Sequence, residues 1–139
     1  MKLWTRVAFV LLFVPLVASA QFRDLDAAMS NLERGFGSGD VDAIVAGIAA
    51  DDQVMLQFPG LADKSGFFGR DQAAYLLDGL FNKVDPSGFE RVKVQKVSAE
   101  GQYHITAKWT INNGSVNLFV TLRQKDGKWS IASVRSAGD

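Results

Sequence analysis

Apolar residues recur at helical spacing through the first half of the chain and at every second position through the rest. Phe22, Leu25, Met29, Leu32 and Phe36 lie three and four residues apart, which puts them on one face of a first helix. Gly35, Gly37 and Gly39 are expected to end it. Asp40 is a good N-cap for a second helix whose apolar stripe is Val41, Ile44, Val45 and Ile48. Val54, Leu56 and Phe58 then alternate with Gln53, Met55 and Gln57, a short strand stopped by Pro59-Gly60. Residues 60–70 read as a glycine-bearing loop that carries Phe67 and Phe68. Asp71 falls in the first turn of a third helix, where its charge suits the helix dipole. Ala74, Leu77, Leu80 and Phe81 face inward from it, and Asp85-Pro86 closes it.

From Phe89 the period is two. Val92 and Val94 begin a strand. In the next, Tyr103, Ile105, Ala107, Trp109 and Ile111 share one face, and His104, Thr106, Lys108 and Thr110 share the other. Asn113-Gly114 is a strong hairpin signal, after which Val116, Leu118, Val120 and Leu122 alternate with Asn117, Phe119, Thr121 and Arg123. Asp126-Gly127 marks a second hairpin, leading to Trp129 and Ile131. Three consecutive antiparallel strands are thus expected after three helices. Runs of helix followed by runs of strand imply an α+β fold, with the helices on one face of a curved antiparallel sheet.

The first twenty residues read as an export signal. Lys2 and Arg6 precede an apolar run, Val7–Val17, and Ala18-Ser19-Ala20 supplies the small residues a signal peptidase needs. That run is too short to cross a bilayer of about 30 Å as a helix. Cleavage is expected after Ala20, leaving residues 21–139 as a single domain with no membrane span, periplasmic or secreted. A chain of this size buries enough surface to fold alone.

Composition narrows the chemistry. The 139 residues carry fifteen Lys and Arg against fifteen Asp and Glu, so net charge points to no nucleic acid partner. Cysteine is absent, which excludes thiolate catalysis, thiolate metal sites and disulfides. A single histidine excludes a multi-histidine metal centre. No metal and no other cofactor is expected.

The order of elements, together with Gly39-Asp40-Val41-Asp42-Ala43-Ile44-Val45, Ala50-Asp51-Asp52, Pro59-Gly60, Gly69 and the closing Asp126-Gly127-Lys128-Trp129-Ser130-Ile131, resembles the nuclear transport factor 2-like superfamily. This group has a cystatin-like α+β fold and includes ketosteroid isomerases and SnoaL-like polyketide cyclases. The resemblance implies a cone-shaped half-barrel of bent sheet wrapped around the helices, with a cavity at its open end, and often a homodimer through the outer sheet face. It also implies where isomerase chemistry would sit: a carboxylate base before the proline of the first strand, a tyrosine and a protonated acid. Those positions hold Gln57 or Phe58, Leu32 and Val120. None of these side chains exchanges a proton near neutrality, so no catalytic residue is assigned.

Other motifs have plainer explanations. His104 alternates with Thr106 and Lys108, on the solvent or dimer side of its strand. Asp51-Asp52 lies where a helix gives way to a strand, which is turn chemistry. Gly35-Phe36-Gly37-Ser38-Gly39 follows a helix and lacks the Lys-Ser/Thr of a phosphate loop. Asn113-Gly114-Ser115 is formally a glycosylation sequon that the hairpin already accounts for. Asp71, Asp78 and Asp85 read as a solvated helix face. The aromatics are the candidate chemistry. Phe58, Phe67, Phe68, Tyr75, Phe81 and Trp109 fall in segments that border the cavity in the resembling fold, as pocket lining or lid, with Arg70 and Tyr75 as polar anchors. Three readings follow. One is an exported non-catalytic module binding a small apolar molecule or an envelope protein. Another is a SnoaL-like or isomerase-like enzyme with a non-standard acid/base pair. The third is a dimeric interaction domain that works through its outer sheet.

Overall fold

The computed structural model describes residues 24–98, 101–112 and 114–138; the expected export signal, Phe22 and Asn113 lie outside them. The first described helix, α1 (Leu25–Ser38), opens on Asp24, whose carboxylate accepts from the Ala27 amide at 2.8 Å. It runs through Gly35 and Gly37, and Gly39 caps it, with a φ of 76°. Of the three glycines expected to end the helix only Gly39 does so, because Gly35, about one turn earlier, serves packing. A Cβ there would overlap Ile44 Cγ1, so the glycine lets the next helix approach closely. That helix, α2 (Val41–Val45), is a short one capped by Asp40; Ala43 and Ile44 are its buried positions, Val41 and Val45 are half-buried, and Ile48 is buried just beyond its end.

The strands are β1 (Val54–Gln57), β2 (Gly66–Phe68), β3 (Gly88–Ser98), β4 (Gln102–Ile111), β5 (Gly114–Lys125) and β6 (Lys128–Ser136), with α3 (Arg70–Val84) between β2 and β3. They form one curved, unclosed sheet in the order β2-β1-β6-β5-β4-β3. The α+β expectation holds, with three differences. Four consecutive antiparallel strands follow α3, not three, because Val92 and Val94 belong to a full eleven-residue strand. The sheet is mixed: β1 runs parallel to β6, pairing Leu56 with Val134. The segment expected to be all loop contains β2, which sets Phe68 against Val54 and Phe67 against Met55. Three residues are too few to show a period in sequence; pairing with β1 makes them a strand.

Asp126 and Gly127 both have positive φ, as the two-residue hairpin turn between β5 and β6 requires. β3 is an edge strand with register shifts around Val92 and Val97, both exposed; such bulges twist an edge away from unwanted pairing. On β4 the expected alternation is seen: Ile105, Ala107, Trp109 and Ile111 are buried and His104 and Lys108 exposed. On α3 the buried positions are Ala73, Leu77, Leu80, Phe81 and Val84, with Ala74 only half-buried. Helices and concave sheet face share one apolar core. Among the described residues no helix is long and apolar enough to cross a membrane.

Candidate functional site

The space between the helices and the sheet is occupied by rings. Trp109 stands at the centre, with the rings of Phe36, Phe58 and Phe81 at 5.6, 6.1 and 6.1 Å, mostly edge-on as ring quadrupoles prefer. Its indole Nε1 donates to the Phe36 carbonyl at 2.8 Å, which satisfies the one polar atom that burial would otherwise strand. Leu32, Phe58 and Val120, which stand where the isomerase roles would fall, are all buried in this core, while Gln57 is exposed. Among the described residues Ser130 and Ser136 are the buried polar ones, Arg70 is half-buried with its Nε closed off without a partner, and no three His, Asp or Glu converge.

Open space lies on the other side of α3. A groove of about 580 Å³ runs between the outer face of this helix and the turn that follows β1. Its apolar surface comes from Leu61, Phe68, Leu76 and Leu80, and its rim from Lys64, Asp71, Tyr75 and Lys83. The turn is held by backbone bonds from the Leu61 and Ala62 amides to the Phe58 carbonyl. Lys83 ties the two walls, its Nζ donating to the Leu61 carbonyl at 3.1 Å. Gly79, in the interior of the α3 sequence, offers the groove no side chain, and a Cβ built there meets nothing within 4 Å. Its φ is an ordinary helical one. A helix-interior glycine costs about 1 kcal/mol relative to alanine, and neither backbone strain nor packing within the chain explains it.

The residues expected to form one aromatic pocket are divided among three places. Phe58, Phe81 and Trp109 are in the core. Phe68 and Tyr75 border the outer groove, Tyr75 being 86% exposed. Phe67 and Arg70 line neither. Phe67 points away from the core and is 67% exposed, because adjacent residues of a strand face opposite sides. Arg70 reaches back under α3, where its Nη2 donates to the Val45 carbonyl at 3.1 Å. Sequence reading missed Leu61, Leu76 and Gly79. The signal that could have found them is the glycine itself, at the tenth position of a fifteen-residue helix.

The convex sheet face differs in charge. Lys93, Thr106, Phe119 and Arg135 form one row across it, and the Arg135 guanidinium lies 4.7 Å above the Phe119 ring. Lys108 and Arg123 belong to the same face, with Glu90 opposite Lys108. Net charge conceals a division: residues 24–85 carry eleven Asp and Glu against four Lys and Arg, whereas residues 86–138 carry three against eight. The part of the chain that carries the helices is acidic and the part that forms the last four strands basic, and Arg91 of β3 meets Glu33 of α1 at 2.8 Å.

The family model for a domain of unknown function, DUF4783, matches residues 29–136. The chain belongs to the DUF4783 family. Among solved structures, a DUF4783 protein of Bacteroides ovatus is similar at a TM-score of 0.67 and 19% identity, covering 77% of this chain and 91% of that one. One from Bacteroides fragilis gives 0.65 and 20%, covering 76% and 93%. A nuclear transport factor 2-like protein of unknown function from Shewanella oneidensis gives 0.61 and 18%, covering 82% and 98%. At these identities the likeness shows the fold alone, and that fold is the one the nuclear transport factor 2-like proteins have. No curated protein matches it in sequence. Fold alone does not assign an activity.

Proposed function

We propose that this DUF4783 protein is an exported, non-catalytic binding domain whose working surface is the groove along α3. The observation that carries the reading is the contrast at that helix. Its inner face is sealed into a ring-packed core with no carboxylate and no histidine buried among the described residues. Its outer face leaves an apolar recess beneath an unsupported tyrosine. Acid/base chemistry needs a titratable group held where water is excluded and substrate can reach. Binding needs only an apolar recess with a few polar groups at its rim, and a groove of about 580 Å³ is of ordinary size for that task. Its occupant presents an apolar ring or chain, carried by a small molecule or by an envelope protein. Export rests on Lys2, Arg6, the Val7–Val17 run and Ala18-Ser19-Ala20.

Native mass spectrometry of the protein purified from its own host tests each part. The expected mass begins at Gln21 and includes a non-covalent companion that Gly79→Leu expels by filling the groove. A chain that retains residues 1–20 removes the export reading. A companion that Gly79→Leu leaves in place removes the groove.

A further inference from the structure

The groove reading leaves the occupant open, and the outer ridge of α3 is complementary to itself. Asp71, Tyr75, Gly79 and Lys83 follow one another at intervals of four, so they form a single ridge on the helix surface. All four are exposed, and all four border the groove. The ridge lies diametrically opposite Leu77, the fully buried residue at its mid-height. An antiparallel copy of α3 related by a two-fold axis at the level of Leu77 sets each residue against its mirror position in number. Tyr75 then faces Gly79 of the partner subunit, and Asp71 faces the partner's Lys83. The same operation repeats both contacts, because a two-fold interface uses one patch twice.

We propose that a second copy of this chain occupies the groove, pairing through α3 about that axis. The inference rests on the reading of the groove as the working surface and names its occupant. Size complementarity supports it: helix axes approach to about 8–10 Å only where side chains interdigitate, and a tyrosine ring enters where glycine leaves a gap. It also gives a reason for two features that stability within one chain does not explain, the 86% exposed Tyr75 and the helix-interior Gly79. Charge complementarity supports it too, with an acid and a base at opposite ends of the ridge and each meeting its opposite. The convex sheet face is the poorer candidate. Lys93, Lys108, Arg123 and Arg135 against Glu90 would oppose like charge across a two-fold axis, which costs association energy.

Sedimentation velocity across a concentration series tests the pairing in the purified mature chain. Wild type is expected to dimerise. Asp71→Lys and Lys83→Asp each place like charges together, so each alone should weaken the dimer about tenfold or more. Mixing the two variants should restore it, because every contact in the mixed dimer again joins opposite charges. Gly79→Leu should abolish dimerisation while melting no lower than wild type, which separates loss of the interface from loss of the fold. A chain that stays monomeric overturns the proposal. So does a dimer that the charge variants leave intact or their mixture fails to restore, or one that Phe119→Lys on the sheet disrupts. If the chain is monomeric and still holds a companion that Gly79→Leu expels, the groove reading survives and the self-pairing does not. If Gly79→Leu changes neither association nor companion, both fail.

Discussion

On the concave side of the sheet, Trp109 has three phenylalanine rings within 6.1 Å and a hydrogen bond for its indole nitrogen. On the far side of α3, Tyr75 stands 86% exposed beside a glycine whose missing side chain nothing replaces. Both regions are aromatic, and they lie on opposite faces of one helix. In the first, each ring packs against the central indole, so its burial contributes to stability. In the second, burial awaits something outside the chain. Aromatic content alone therefore does not mark a binding site; an aromatic left unsupported by its own chain does.

Removing the central ring is the severest way to test the contrast. Trp109→Ala should destabilise the domain by about 3–5 kcal/mol, as loss of large buried aromatics does, read from its urea midpoint. A loss below about 1 kcal/mol would mean the interior is loosely filled and could admit a ligand. Trp109→Phe keeps a ring but orphans the buried Phe36 carbonyl, and should cost about 1–3 kcal/mol. Gly79→Ala should move the other way. It adds a helix-favouring residue at an ordinary helical φ with open space around it, a gain of about 0.5–1 kcal/mol in thermal unfolding of the monomer. A destabilised Gly79→Ala would show that the glycine serves the fold and not an occupant. Tyr75→Ala should change monomer stability by no more than about 0.5 kcal/mol while weakening whatever the groove binds.

Charge offers a second contrast between regions. An equal count of acids and bases reads as a chain without electrostatic preference, yet the helical part is acidic and the strand part basic. The division follows the chain, whose first part supplies all the helices and whose last part supplies four consecutive strands. Splitting the count near Asp85 would have revealed this without coordinates. What the split means in space depends on the sheet, where Lys93 and Arg135, far apart in sequence, fall in one row.

Where periodicity is long, sequence sufficed. Ten residues of β4 alternate so regularly that their buried and exposed faces follow from a period of two, and Asp126-Gly127 announces the turn that its positive φ angles require. The resemblance to the nuclear transport factor 2-like superfamily likewise rested on local motifs in order. Tertiary structure alone decided which apolar surfaces are covered, and by what. β2 exists because β1 is beside it, and β1 joins the sheet because β6 returns parallel to it after half of the chain has intervened. Phe58 and Phe68 look alike in sequence, yet one is sealed beneath Trp109 and the other edges an open groove. Periodicity is a property of neighbouring residues and reports which way a side chain faces. Burial is a property of distant ones, and no local pattern states what stands opposite.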